Sequence, residues 1–202
     1  MTTEILWLAP ASALLLGYLL GSIPFGVLLT RIGGAGDLRQ IGSGNIGATN
    51  VLRTGRKGLA AATLLLDGGK GAAAVLIAEA LWPGTGPLAA AAAFFGHLYP
   101  VWLRFRGGKG VATLMGIALV LHWPCGLVFA AVWLGLLATL RISSVAGMTA
   151  AVSAPVSAAL FDRFEIVPLF IALALLVLWK HRENIDRLLS GTEPRIGGAR
   201  RA

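Results

Sequence analysis

Seven apolar stretches alternate with short polar breaks along the chain, at roughly residues 4–30, 58–82, 86–103, 111–122, 124–140, 143–161 and 166–180. A bilayer core about 30 Å thick needs about 20 apolar residues to cross it as a helix. Most of the stretches approach that length. The fourth is short and the seventh nearly so, which predicts tilted neighbours of longer helices or a segment that fails to span. Pro124 divides the fourth from the fifth, and Pro83, Gly84 and Pro87 divide the second from the third. The pattern predicts an all-α, polytopic integral membrane protein of about seven transmembrane helices, forming one domain over residues 1–202. No internal repeat is evident, although 88–93 is Ala-rich.

Composition removes the soluble alternative. Hydrophobic residues make up 56% of the chain and charged residues 13%, against about 25% charged in ordinary soluble domains. Mean hydropathy is +0.79, and a water-facing surface cannot be built from so few polar groups. Gly17, Gly21 and Ala13 in the first run are small enough to let helices approach closely. Glu4 precedes that run without a basic segment, so the amino terminus reads as a span and not as a cleaved signal. Cys125 is the single cysteine. It permits neither an internal disulfide nor a CxxC site and reads as a packing residue.

The net charge of +8 then supplies orientation. Basic residues gather in the loop 31–57 (Arg31, Arg39, Arg53, Arg56, Lys57), the loop 104–110 (Arg104, Arg106, Lys109), the turn at Arg141, and the tail (Lys180, Arg182, Arg187, Arg195, Arg200, Arg201). With seven crossings all four regions fall on one face. The positive-inside rule makes that face cytoplasmic, with the amino terminus outside and the carboxyl terminus inside. The turn with Asp162, Arg163 and Glu165 falls on the other face. Charges confined to short loops between apolar runs speak against nucleic acid. They leave topology, anionic lipid or an anionic substrate as their purpose.

Three polar blocks go beyond topology. In Gly42-Ser43-Gly44-Asn45-Ile46-Gly47-Ala48-Thr49-Asn50, three glycines allow sharp turns that aim backbone N–H groups at an anion. Ser43, Asn45, Thr49 and Asn50 add polar side chains. Arg53 adds a planar fork for phosphate or carboxylate. The spacing Gly42-x-Gly44-x-x-Gly47 also fits a dinucleotide fingerprint, but that motif needs a preceding strand, and here an apolar span precedes it. The second block joins His97 to Arg104-Phe105-Arg106-Gly107-Gly108-Lys109-Gly110, which opens an apolar segment. A glycine-rich turn at a helix start is suited to anions. The third block is His181-Arg182-Glu183-Asn184 with Arg187, Gly191 and Glu193, in which His181 and Asn184 share a helical face. Asp67 and Lys70 lie deep in the second span. A charge there costs on the order of 3 kcal/mol, so the two should pair, as a structural ion pair beneath the polar loops. Glu79 should lie at the interface. His97, His122 and His181 lack ligand spacing, so no metal site is expected.

Taken together, the chain closely resembles the bacterial acyl-phosphate:glycerol-3-phosphate acyltransferases of the PlsY type. The resemblance rests on GSIPFG at 21–26, GSGNIGATNVLR at 42–53, DGGKG at 67–71, GHLYPVWLRFRGGKGVAT at 96–113 and HRENIDRLLSGTE at 181–193. Tyr99 and Trp102 stand where that family usually has phenylalanine, and Arg104 and Arg106 where lysine is common. The resemblance implies a seven-span enzyme of the bacterial inner membrane, acting at the cytoplasmic face as a monomer among membrane lipids, without a cofactor. It implies transfer of a fatty acyl group from acyl phosphate to the 1-hydroxyl of glycerol 3-phosphate, giving lysophosphatidic acid and phosphate. An acyl phosphate already carries a good leaving group, so direct attack by the hydroxyl suffices and the protein mainly positions and stabilises charge.

The roles expected on that basis are as follows. Ser43, Arg53, His181 and Asn184 form the catalytic set. Ser43, Asn45 and nearby amides hold the acyl-phosphate head or the developing oxyanion, and His181 with Asn184 orients glycerol phosphate. Arg53 and Lys109 bind phosphate, with Gly107, Gly108 and Gly110 permitting close approach. Gly42, Gly44, Gly47, Thr49, Asn50, His97 and Arg106 complete the binding surface, and Glu183 serves as a buttress. The proton goes to His181 or to the substrate's own phosphate. Two other classes compete. An organic-phosphate transporter would place its polar groups near the midplane. A lipid-binding scaffold would not need these residue types at fixed spacing.

Overall fold

The computed structural model describes residues 3–197. Arg200 and Arg201 lie outside them, as does the side chain of Glu4. Helices follow the apolar runs with two departures. The first run, expected to continue to residue 30, forms two helices, α1 (Thr3–Gly21) and α2 (Phe25–Ile32). Pro24 explains the break, because it has no N–H and disfavours helical backbone at Ile23 before it. A 3-10 turn at Leu38–Gln40 and a short α3 (Ala48–Leu52) follow, then α4 (Lys57–Leu81) and α5 (Gly86–Leu98). The third run was expected to extend to 103. Its helix ends at Leu98, ahead of Pro100, and a 3-10 turn covers Val101–Leu103. The remainder is α6 (Val111–Leu121), α7 (Trp123–Leu140), α8 (Ser143–Leu160), α9 (Val167–Lys180) and α10 (Arg182–Leu189).

Four helical stretches are long and apolar enough to cross a membrane: Trp7–Ile32, Lys57–Leu81, Trp123–Leu140 and Ser143–Leu160. α6 and α9 are apolar but shorter. At 1.5 Å per residue they reach only about 16 and 21 Å. The chain divides into two compact units, residues 1–121 and 122–202.

In the first unit small residues carry the packing. A Cβ on Gly17 or Gly21 of α1 would overlap the carbonyl oxygens of Ala89 or Ala93 in α5, and one on Gly116 of α6 would overlap Gly68 of α4. Backbones meet because nothing separates them, as in other membrane helix pairs. Ala13, Ala78 and Ala89 are fully buried at one such contact. Large side chains such as Trp7, Leu15, Leu65 and Leu76 point outward, as lipid-facing residues do. The ascending register of α1 on α5 makes them parallel, so their last turns share one end. There the Tyr18 hydroxyl donates to the Tyr99 carbonyl (3.0 Å), and the Trp102 indole donates to Ser22 Oγ (2.8 Å).

In the second unit α8 packs between α7 and α9. The guanidinium of Arg141, in the turn after α7, donates to the Ile196 carbonyl (2.9 Å), and the Ile196 N–H donates to the Arg141 carbonyl (2.7 Å). The basic turn and the basic tail therefore lie together. Arg163 and Glu165 pair in the turn after α8, at that helix's other end.

Candidate active site

The first unit gathers two of the three polar blocks at one end. Beneath them Val27, Leu38, Ile46, Val51, Ala60 and Leu103 form a buried cluster, which ties the 42–53 segment to the 101–106 turn. Leu38, Ile46 and Val51 are fully or almost fully buried, so the polar residues between them turn outward. Ser43 and Arg53 are exposed, and Gly44, Asn45, Gly47 and Thr49 are half-buried. Gly42 and Gly44 have φ of +57° and +68°, a region that glycine enters without steric cost. A Cβ on Gly42 would come within 2.9 Å of the Arg53 guanidinium and 2.5 Å of Asn50 Oδ1. Gly42 is thus the floor over which Arg53 folds.

Asn50 is held by the loop itself. It is 2% exposed. Its Nδ2 donates to the carbonyls of Leu38 (3.1 Å) and Ile41 (2.8 Å), and its Oδ1 accepts from the Ser43 N–H (3.3 Å). The residue grouped with the substrate-binding side chains is therefore a staple that sets the position of Ser43.

The second block is built on the end of α5. The Gly107 N–H donates to the Leu98 carbonyl (3.1 Å) and the Gly108 N–H to the His97 carbonyl (3.0 Å), which folds the loop back over the helix terminus. Gly108 and Gly110 are buried, Gly107 and Lys109 half-buried, and Arg106 exposed. Gly110 has φ +86° and packs against the Phe94 ring. α6 begins directly after it. His97 is buried beneath this loop: its ring lies under Gly108, and its Nδ1 is 3.7 Å from Asp67 Oδ1. Asp67 and Lys70 form the expected ion pair, at 2.7 Å and almost without exposure. Glu79 accepts from the N–H groups of Gly84 (2.8 Å) and Gly86 (3.0 Å), and so closes the turn after α4.

The third block lies in the second unit. His181 Nδ1 donates to the Val177 carbonyl (2.8 Å), which in a neutral ring makes Nε2 the acceptor nitrogen. Asn184 Nδ2 donates to Glu193 Oε1 (2.6 Å); the same oxygen accepts from Ser144 Oγ (2.6 Å), and Oε2 accepts from Arg187 Nε (2.7 Å). Burial alone would raise the Glu193 carboxyl. The bonds from Ser144, Asn184 and Arg187 outweigh it and hold the group below the usual carboxylate range. The buttress is thus Glu193, while Glu183 is exposed. Sequence offered one signal for this, a carboxylate two residues after Gly191 and close to Arg187; its link to Ser144, in a separate helix, is tertiary. An apolar groove lined by Met148, Val152, Leu178, Ile185 and Leu188 runs beside α10. Among the described residues no three His, Cys, Asp or Glu side chains gather as metal ligands.

Comparison with known proteins bears on this arrangement. The glycerol-3-phosphate acyltransferase family profile matches residues 11–191. A glycerol-3-phosphate acyltransferase of Novosphingobium aromaticivorans is 66% identical over 91% of this chain and 93% of its own length. One from Mesorhizobium japonicum is 58% identical over 92% and 95%. The crystal structure of PlsY (YgiH), an integral membrane glycerol 3-phosphate acyltransferase, in its glycerol 3-phosphate form superposes with a TM-score of 0.88 at 37% identity, covering 93% of this chain and 96% of that one. Its lysophosphatidic acid form gives 0.83 at 35% identity, with 92% and 94% covered.

Proposed function

The chain belongs to the glycerol-3-phosphate acyltransferase family, and from that premise we propose how its own residues perform the transfer. It is a membrane acyltransferase; the transporter reading has no support in its relatives. We propose acyl phosphate as the donor and the 1-hydroxyl of glycerol 3-phosphate as the acceptor. The hydroxyl oxygen bonds to the acyl carbonyl carbon, the bond from that carbon to the phosphate oxygen breaks, and inorganic phosphate leaves. The hydroxyl proton passes to His181 Nε2 or to a substrate phosphate. No covalent enzyme intermediate is required.

One observation carries this reading: two glycine-rich basic loops, with Arg53 and Lys109, rise from a single apolar cluster at one end of the first unit. Such loops suit phosphate, because backbone amides and fixed cations meet it without reorganising. Ser43 and Asn45 address the acyl-phosphate head or the oxyanion. His181 and Asn184, held by Val177 and Glu193, orient glycerol phosphate. The apolar groove beside α10 offers a surface for an acyl chain. The family match runs through both units, which supports a single acyltransferase domain over 1–202.

Seven crossings, with the amino terminus outside and the loops in the cytoplasm of the bacterial inner membrane, fit the basic loops best. The enzyme works as a monomer. Purified protein in detergent, given an acyl phosphate and glycerol 3-phosphate, should release phosphate only when both are present. Release that ignores glycerol 3-phosphate, or none at all, overturns the reading.

A further inference from the structure

Asp67 and Lys70 face each other in the interior of α4 and touch no exposed surface. A buried ion pair is weak evidence for stability, since two desolvated charges roughly cancel what their attraction gains. Its neighbours suggest a different purpose. Beyond Asp67, Lys70 Nζ donates to the carbonyl of Ile23 (2.8 Å) and lies 5.9 Å from the Phe25 ring centre. Ile23 sits in the break that Pro24 makes between α1 and α2. One residue beyond Phe25, the backbone of Gly26 rests against the Ile46 carbonyl, in the middle of the 42–53 loop; a Cβ there would overlap that oxygen. Lys70 therefore holds the ledge on which the first loop sits.

Asp67 reaches the second loop. Its Oδ1 lies 3.7 Å from His97 Nδ1, and the far edge of the same imidazole is packed under Gly108 so closely that a Cβ on Gly108 would strike Nε2. The N–H of Gly108 also returns to the His97 carbonyl. The ring is thus clamped between a fixed carboxylate and the residue preceding Lys109. Both loops consequently register on one ion pair, and rotation of either charged side chain would release them.

We infer that Asp67 and Lys70 are positioning residues for the acyl transfer, Asp67 acting through His97 on the Gly107–Lys109 loop and Lys70 through Ile23 on the Gly42–Arg53 loop. His97 then serves from beneath the loop without touching substrate. This rests on the proposed role of the two loops in binding phosphate.

The deciding variant is Asp67→Leu with Lys70→Met, which removes both charges together and leaves neither buried alone. Were the pair only a structural element, this exchange would be neutral or stabilising in melting temperature and would leave kinetics unchanged. Positioning predicts a retained melting temperature and a KM for glycerol 3-phosphate or palmitoyl phosphate raised about tenfold or more.

A second measurement does not depend on that variant folding. Gly108→Ala and His97→Ala should each raise the same KM, and the double variant should be no worse than His97→Ala alone, because the added methyl then has no ring to strike. Wild-type KM in the Asp67/Lys70 variant, or multiplicative effects in the Gly108/His97 cycle, overturns the inference. Lys109→Ala separates this from the underlying reading: wild-type KM values in Lys109→Ala would mean that the loop does not bind phosphate at all.

Discussion

Asn184 donates to Glu193 Oε1 at 2.6 Å, although the two residues belong to different segments, α10 and the tail that follows it. Ser144, from the start of α8, shares that oxygen, and Arg187 takes the other. One carboxylate, its side chain only 6% exposed, thus fixes the amide of a proposed substrate-binding residue.

Replacing Glu193 with Ala should lower stability by about 2 kcal/mol, since three donors lose a charged acceptor. Thermal unfolding in detergent measures this. Glu193→Gln keeps one carbonyl oxygen and should cost less. Both should depress kcat/KM, because Asn184 then loses the charged acceptor of its amide.

The same residue sets a pH dependence. Its folded pKa lies below the ordinary value of 4.5. Its contribution is therefore fully present above that value and is lost as pH falls through the folded pKa. The melting-temperature gap between wild type and Glu193→Gln should stay constant from pH 7 to about 5 and close below about 4.5. A gap that instead widens on acidification contradicts the assignment.

Asn50→Ala leaves the Leu38 and Ile41 carbonyls without a buried donor and should cost about 1–3 kcal/mol. Asn50→Asp cannot donate to them and should be no better. In Asn50→Ala the Ser43 N–H also loses its acceptor, whereas Asn50→Asp keeps one, so turnover should fall further in Asn50→Ala, read by phosphate release at saturating substrates.

Arg53→Ala or Lys109→Ala should raise the KM for a phosphate substrate or abolish activity, while the melting temperature changes little because neither side chain is in the core. Wild-type kinetics in both would remove the phosphate-clamp assignment.

Glycine substitutions should separate by position. Gly21→Ala drives a methyl into the Ala93 carbonyl and should destabilise by about 1–3 kcal/mol. Gly135→Ala in α7, where nothing lies within 4 Å, should be neutral or stabilise by up to about 1 kcal/mol. Equal effects at the two sites would show that helix propensity, and not close approach, governs these glycines.

Much of this protein was legible in its order of residues. Apolar runs with few charges can only be helices in lipid, because a spanning backbone must satisfy its own hydrogen bonds. Gly17 and Gly21 announced a close helix contact, and Asp67 and Lys70 a pair, because isolated charges are too costly in hydrocarbon. Ser43, Arg53 and Lys109 stood out because glycine-rich, basic segments are rare between spans. The break at Pro24 was passed over inside a continuous apolar run, since hydropathy is blind to backbone geometry.

Other features exist only in three dimensions. Asn50 reads like a ligand-binding amide, and nothing local says that its donors turn inward to Leu38 and Ile41. Glu183 reads as the buttress along the chain; that Glu193 is the one held depends on where Ser144 arrives from α8. His97 reads along the chain as a packed histidine or a binding residue of the second loop, and nothing local says that it is wedged between Asp67 and Gly108. Sequence determines which groups are present and how lipid sorts them into spans and loops. The partner of each buried polar group is chosen by packing of distant segments, and only the tertiary structure decides that.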